Sequence, residues 1–245
     1  MVEHHLDIHT AHGAMNSFVV HPEEGGPHPV VLFYMDAPGK REELHDMARR
    51  LAAVGYFVVL PNLYYRRVRE FELKERTPEG MKPMFELMHS LTNAMVVLDT
   101  QAMLRWVGQQ PAADKSRIGA VGYCMSGPFV FAAAAHFPDR INAIAALHPA
   151  NMVTGREDSP DKMAPHIRCE TYVGCAEIDK WCPPETVAAL KAALDAAGTR
   201  YRLEMYPGVE HGFTFPQRKG IYDKPAAERH WERLFALFER NLKTR

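Results

Sequence analysis

The short motif GYCMSG, which contains Cys124, constrains the fold of this chain more than any other segment. An apolar run, 118–121, comes before the motif, and a run rich in small residues, 129–135, follows it. This order predicts a strand, a sharp turn and a helix. Such a turn holds its central residue in a strained conformation, so the residues two before and two after it must be small. Gly122 and Ser126 meet this requirement, which makes Cys124 a candidate nucleophile.

Two other interpretations of the motif are weaker or remain open. If Ser126 were the central residue, Pro128 would hold a flanking position, where it lacks the N–H group and the freedom that the turn needs. Ser126 is therefore not the candidate. Cys124 could instead be a small packing residue at a strand end, because free cysteine is among the most buried residue types.

A nucleophile needs a base, and the base needs a group that orients it. In α/β-hydrolases the acid and then the histidine follow the nucleophile in chain order, each in a loop after a later strand. The apolar strand predicted at 170–173 leads into a loop with two acids, Glu177 and Asp179. Asp179 is the better candidate because it lies deeper in the loop and has the shorter, stiffer side chain. Glu177 remains the alternative.

His211 is the candidate base. Residues 201–206 alternate as in a strand and lead through Pro207 and Gly208 to His211, which lies in a loop between turn-forming residues. Most of the 13 histidines have a simpler explanation as surface or capping residues. His211 differs because it comes in the right order after Cys124 and Asp179.

The motifs together resemble the dienelactone hydrolases, a family of carboxymethylenebutenolidase-like α/β-hydrolases. The similarity covers nearly the whole chain and is carried by these segments: Gly122-Tyr123-Cys124, the acid loop with Asp179 and Pro183, Tyr206-Pro207-Gly208, His211-Gly212-Phe213, 51–56, 60–64 and 226–233. It implies an α/β-hydrolase fold with a mostly parallel central sheet and helices on both faces. It also implies Cys124 as nucleophile, His211 as base and Asp179 as the group that orients it.

The resemblance extends to the surroundings of the nucleophile. The family has an acidic residue, usually a glutamate, that holds the thiol in a resting position, and the shorter Asp36 occupies that place here. Asp36 could equally cap the helix predicted to start near Glu42, since aspartate favours such positions. The oxyanion hole of this fold takes two backbone N–H groups, which here would be those of Ala37 and Met125.

One departure from the family concerns the substrate. The type member has an arginine shortly after the catalytic histidine that grips the substrate carboxylate. Thr214 and Phe215 stand there in this chain. The resemblance therefore does not assign the dienelactone itself as the substrate.

Composition excludes several classes of partner. A chain of 245 residues fits one α/β domain, 1–245, and its formal net charge of −1 gives no electrostatic case for binding nucleic acid or an anionic membrane. The basic cluster 66–69 precedes several glutamates and is interpreted as a solvated loop, with an anion-binding rim as the alternative. No apolar run reaches about 18 residues, and the polar start is not a signal peptide, so we expect a cytoplasmic protein.

The cysteines give no sign of a metal site or of disulfides. They stand at 124, 169, 175 and 182, without the paired spacing of a zinc site, and a reducing compartment argues against disulfides. We interpret Cys169, Cys175 and Cys182 as packing or loop residues, and we predict neither metal nor cofactor.

The rest of the chain alternates strands and helices, which predicts a parallel sheet. Predicted strands lie at 30–34, 56–60 and 143–147, and predicted helices at 44–52, 84–107, 187–194 and 231–238. In the helix 84–107 the predicted core face is Leu91, Met95, Leu98, Ala102 and Trp106. The charged, irregular segment 66–83 is predicted to be a lid that sets specificity.

The sequence thus predicts a cysteine-dependent hydrolase of small esters or lactones that works through a thioester acyl-enzyme. Two alternatives remain, a thiol redox sensor that uses Cys124 and a non-catalytic binding protein with this fold. We expect a small-molecule substrate and a monomer or small homo-oligomer.

Overall fold

The computed structural model describes residues 1–243, which form two compact units, residues 1–116 and residues from 117 onward. The prediction of a single domain stays a prediction. Within 1–243, no helix is both long enough and apolar enough to cross a membrane.

The first unit contains a mixed sheet with the strand order β1-β2-β4-β3. Its elements, in chain order, are β1 (Val2–Thr10), β2 (Gly13–His21), β3 (His28–Tyr34), α1 (Glu42–Ala53), β4 (Phe57–Pro61), α2 (Pro78–His89) and α3 (Asn93–Val107). The predicted strands at 30–34 and 56–60 are confirmed as β3 and β4, which are parallel and buried along their whole length. The β1-β2 hairpin was not predicted, because β1 is mostly polar and has one buried side chain, Ile8.

The second unit contains the strand order β5-β6-β7-β8, and each neighbouring pair is parallel. Its elements are β5 (Ala113–Tyr123), whose first four residues fall in the first unit, α4 (Gly127–His136), β6 (Ile141–Leu147), the single turn α5 (Pro160–Met163), β7 (Glu170–Ile178), α6 (Pro184–Ala196), β8 (Tyr201–Glu210), α7 (Lys224–Phe238) and a π-helical turn (Glu239–Lys243). Helices α4 and α7 pack against β6. Because the strands are parallel, their carboxyl ends meet at one edge of the sheet.

The helix predicted over 84–107 is two helices, and the first begins inside the segment predicted to be irregular. The Thr77 hydroxyl accepts the Gly80 N–H at 3.0 Å and caps α2. The Thr92 hydroxyl accepts the Met95 N–H at 3.2 Å and starts α3 after a three-residue break. The chain is therefore irregular only up to Thr77, because threonine caps start helices at points that apolar periodicity does not mark.

The core face predicted for this region is confirmed only at Ala102, which is 2% exposed. Leu98 is 45% exposed, and the buried side of α3 consists of Val96, Asp99, Thr100, Ala102, Met103, Leu104 and Val107. Asp99 is buried because Arg66 pairs with it at 2.7 Å and Tyr65 donates to it at 2.8 Å. Arg66 is correspondingly only 12% exposed, so this member of the basic cluster is not solvated.

Asp36 does not cap α1. The helix begins at Glu42 as predicted, but its N-cap residue is Arg41, and no side chain caps it. The buried Asp36 carboxylate instead accepts hydrogen bonds from the Arg41 guanidinium through both of its oxygens.

Candidate active site

The GYCMSG motif forms the predicted strand, sharp turn and helix. Strand β5 ends at Tyr123, residues 124–126 form a single 3₁₀ turn, and α4 follows directly. Cys124 has a φ of +56°, a left-handed conformation that is strained for a residue with a side chain. A Cβ atom on Gly122 would collide with the carbonyl oxygen of Ser126, which explains the need for glycine two residues before the apex. Cys124 is partly exposed, whereas Ser126 is fully buried.

His211 and Asp179 lie directly after two other strands of the same unit. Asp179 follows β7 and His211 follows β8. His211 Nδ1 lies 2.7 Å from Asp179 Oδ2, and the second carboxylate oxygen accepts the Trp181 backbone N–H at 2.8 Å. The Asp179 side chain is 1% exposed. A carboxylate in this position takes the Nδ1–H donor, so Nε2 is the nitrogen left for the thiol.

The electrostatics of His211 favour the protonated imidazole. Burial of the ring lowers its pKa, but the Cys124 side chain and the Asp179 carboxylate outweigh this effect and raise the pKa of His211 to about 10. Among residues 1–243, the buried Nε2 atom has no hydrogen-bond partner of ordinary geometry. The Cys124 side chain is nonetheless near enough to contribute to the raised pKa of this ring.

Glu177, the alternative acid, has a different partner. Its exposed carboxylate accepts the Gly208 N–H at 2.7 Å and so joins the end of β7 to β8. Of the two acids, Asp179 is the one that contacts the imidazole of His211.

His148 lies beside the candidate base and was missed at the level of sequence. It directly follows β6, is fully buried, and its ring centroid lies 5.0 Å from that of His211. The sequence signal was available, because the apolar strand predicted at 143–147 runs straight into this histidine.

Arg218 also contacts the histidine loop, through the backbone. Its Nη1 donates to the His211 carbonyl oxygen at 2.7 Å. No sequence pattern predicts this contact, because the arginine lies seven residues after the histidine in an irregular segment.

The two residues that replace the family's arginine are buried. Thr214 and Phe215 are each 1% exposed. The Phe215 ring packs against Tyr123 and His148, at centroid distances of 5.6 and 5.3 Å. This part of the histidine loop is therefore core that supports the site.

The remaining predicted site residues are located as follows. Ala37 is 4% exposed in the first unit, and its carbonyl oxygen accepts the Tyr64 hydroxyl at 2.8 Å. Met125 lies in the turn directly after Cys124. The oxyanion roles of these two residues, and any action of Asp36 on the thiol, stay predictions. The other three cysteines are buried, as expected for packing residues.

Comparison with known proteins agrees with this architecture. The chain matches the dienelactone hydrolase family over residues 15–242. Two curated relatives are named "putative carboxymethylenebutenolidase". The protein of Synechocystis sp. is 26% identical over 229 residues, 92% of each chain. That of Methylorubrum extorquens is 29% identical over 232 residues, 91% of this chain and 75% of that one.

A solved structure gives the same result for the fold. The crystal structure of a "putative dienelactone hydrolase" from Klebsiella pneumoniae subsp. pneumoniae matches with a TM-score of 0.87 at 25% identity and covers 98% of both chains. The predicted fold class and family are thus confirmed. The chain belongs to the dienelactone hydrolase family, has the α/β-hydrolase fold, and is a hydrolase of esters or lactones.

Proposed function

We propose that this protein hydrolyses small, activated esters or lactones with Cys124 as nucleophile, His211 as base and Asp179 as the group that orients the base. One observation carries the proposal. The partly exposed Cys124 sits at a strained turn, and its thiol interacts with a histidine that is itself hydrogen-bonded to a buried carboxylate. This is the arrangement of nucleophile, base and orienting group that covalent catalysis needs.

His211 Nε2 takes the thiol proton before the substrate reacts, in keeping with the raised pKa of the ring, and in the first half of the reaction the Cys124 sulfur attacks the acyl carbon as a thiolate. The carbonyl oxygen becomes an oxyanion, which the Met125 and Ala37 N–H groups would stabilise. Asp179 stabilises the imidazolium. When the tetrahedral intermediate collapses, the bond from carbon to the leaving oxygen breaks. His211 protonates that oxygen, and a thioester on Cys124 remains.

In the second half a water molecule replaces the leaving group. His211 removes a proton from the water as its oxygen attacks the thioester carbon. The bond between carbon and sulfur then breaks, the acid is released, and the proton returns to the Cys124 and His211 pair. Each cycle consumes one ester or lactone and one water and regenerates the enzyme.

This chemistry suits substrates with good leaving groups. A thiolate attacks well near neutral pH, but it is also readily expelled, so esters of aryl alcohols and enol lactones match it better than simple alkyl esters. We further propose that the segment 66–83 acts as a lid and sets specificity. Phe215 is buried where the family's carboxylate-binding arginine is expected, so a neutral ester is as suitable a probe as an anionic lactone.

The test is a panel of aryl esters and lactones with wild type and Cys124→Ala. Loss of a nucleophile typically lowers the rate by several orders of magnitude. The matched control is Cys169→Ala, which removes a buried thiol from another part of the unit and is expected to retain activity. Comparable turnover by wild type and Cys124→Ala, with matched thermal melts, would contradict the mechanism.

Mass spectrometry separates this proposal from a redox sensor. An acyl adduct on Cys124 is expected to accumulate in His211→Ala or with slow substrates, since covalent intermediates mark nucleophilic catalysis. A sensor would form only peroxide adducts and no acyl adduct with any ester. The burial of Cys169, Cys175 and Cys182 favours the hydrolase, because a resolving thiol needs access.

A further inference from the structure

Each of the four parallel strands of the second unit is followed directly by a residue whose side chain can act as a nucleophile, an acid or a base. These residues are Cys124 after β5, His148 after β6, Asp179 after β7 and His211 after β8. The proposed mechanism uses three of them and leaves His148 without a role. His148 is fully buried and has a φ of +34°, so it occupies a strained position at this edge of the sheet.

The contacts of His148 lead to the loop that carries His211. His148 Nε2 lies 2.8 Å from the hydroxyl oxygen of Thr214, three residues after His211, and Thr214 is 1% exposed. The two imidazole rings meet at an interplanar angle of 67°. On the opposite side, the His148 backbone N–H donates to the Gly174 carbonyl oxygen at 2.6 Å, which fixes the residue to β7.

Packing alone does not account for a histidine at this place. Burial holds the pKa of His148 well below its ordinary value, and the neighbouring His211, Arg218 and His230 act in the same direction. The ring is therefore neutral. Its Nδ1 atom is buried and has no hydrogen-bond partner in the described part of the chain, which is an unfavourable state for a polar atom. An apolar ring would fill the same space without this penalty. The hydrogen bond to Thr214 is the contact that histidine makes here and that an apolar ring could not make.

We infer that His148 is a positioning residue for His211. The bond to Thr214 and the contact between the rings hold the His211 imidazole where Nδ1 meets Asp179 and Nε2 meets the thiol. His148 is inaccessible to solvent and so acts through His211, without touching the substrate. This inference rests on the proposed role of His211 as the base in the triad.

The test removes the hydrogen bond from each side. Thr214→Val keeps the shape of the side chain and removes the hydroxyl group. His148→Phe keeps an aromatic ring and removes the nitrogen atoms. Thr214→Ser is the control, because it retains the hydroxyl group. A misplacement of about 1 Å in a catalytic group can lower the rate about 10²-fold. We therefore expect kcat to fall about 10- to 100-fold in the first two variants, KM to stay within about twofold, and Thr214→Ser to match wild type.

A spectroscopic readout separates positioning from general destabilisation. The proton shared by His211 Nδ1 and Asp179 gives a low-field proton resonance, which is expected to shift or broaden in Thr214→Val and to persist in Thr214→Ser. A Thr214→Val protein that is folded, with the wild-type kcat and the wild-type resonance, would overturn the inference. If His148→Phe does not fold, the comparison of Thr214→Val with Thr214→Ser decides alone.

Two further results complete the test. The double variant of His148→Phe and Thr214→Val is expected to be no slower than the slower single variant, because both substitutions remove one bond. If the losses in kcat were additive in the double variant, His148 and Thr214 would not act through the same hydrogen bond, and the inference would be overturned. Activity that survives in Cys124→Ala would refute the proposed mechanism itself, whereas an inactive Cys124→Ala with an unaffected Thr214→Val would refute only the role of His148.

Discussion

Replacement of Asp179 by asparagine should invert the proton arrangement on His211. One carboxylate oxygen accepts the Trp181 N–H at 2.8 Å, and the other lies 2.7 Å from His211 Nδ1. An amide has a single acceptor oxygen, which will stay with the backbone donor and turn the NH₂ group toward Nδ1. Nδ1 must then accept, the ring proton moves to Nε2, and His211 can no longer take the proton of Cys124.

The size of the effect follows from these two bonds. A hydrogen bond to a charged group contributes about 1.5–3 kcal/mol, which corresponds to about 10- to 160-fold in rate if it acts in the transition state. The wrong tautomer adds to this loss, and the equivalent change in Ser-His-Asp triads lowers kcat about 10⁴-fold. Cysteine is the stronger intrinsic nucleophile, so we expect kcat for Asp179→Asn to fall about 10²- to 10³-fold.

The assay is steady-state hydrolysis of an aryl ester, with thermal melts to confirm folding. Glu177→Gln is the matched control, because its amide oxygen still accepts the Gly208 N–H, and its kcat should stay within about twofold of wild type. If Asp179→Asn retains nearly wild-type kcat, or if Glu177→Gln shows the larger loss, Asp179 is not the orienting group.

Three other predictions concern the thiol and its surroundings. Cys124→Gly should melt at a higher temperature than Cys124→Ala, because glycine adopts a φ of +56° without strain. A net gain of about 0.5–1 kcal/mol in the free energy of unfolding corresponds to a few degrees in Tm. An equal or lower Tm would contradict strain at the turn that contains Cys124. His211→Ala should slow iodoacetamide alkylation of Cys124 at neutral pH, because a raised pKa of about 10 keeps the wild-type imidazole positive below that pH and so favours the thiolate. The difference between the two proteins should vanish above about pH 10. Alkylation rates that coincide at every pH would show that Cys124 and His211 are uncoupled. Asp36→Asn should displace the pH profile of the same alkylation if the carboxylate acts on the thiol, whereas superimposable profiles would leave Asp36 as the structural partner of Arg41.

The end of β5 was predictable from the sequence, because small residues flank Cys124. The proline and glycine before His211 predicted a strand end after Tyr206, but β8 continues through them to Glu210 and pairs irregularly with β7 there. The prediction therefore located His211 near a strand end and missed the strand's length.

His148 follows an alanine-rich run, which resembles core, although Pro149 comes directly after it and marks the end of the strand. Its importance depends on Thr214, 66 residues away, and a contact at that separation leaves no local pattern.

The misassigned face of α3 has a similar cause. Periodicity of apolar residues selected Leu98, but Asp99 and Thr100 are buried in its place. Each has a distant polar partner, Arg66 for the carboxylate and Tyr34 for the hydroxyl, at 2.7 Å in both cases. A buried polar residue is acceptable only when such a partner exists, and only the folded chain shows that it does.

Four residues of the site each stand one position beyond a strand and so lie outside the pairing of the strands: Cys124, His148, Asp179 and His211. A side chain within β6 must fit the pleat and the helices on either side of it, whereas a side chain just past the ladder is constrained by its turn and by its partners at the site. Exchange of thiol for hydroxyl at position 124 therefore leaves the ladder of β5 unchanged. Evolution can replace the reactive group of such a protein while its buried scaffold is inherited intact.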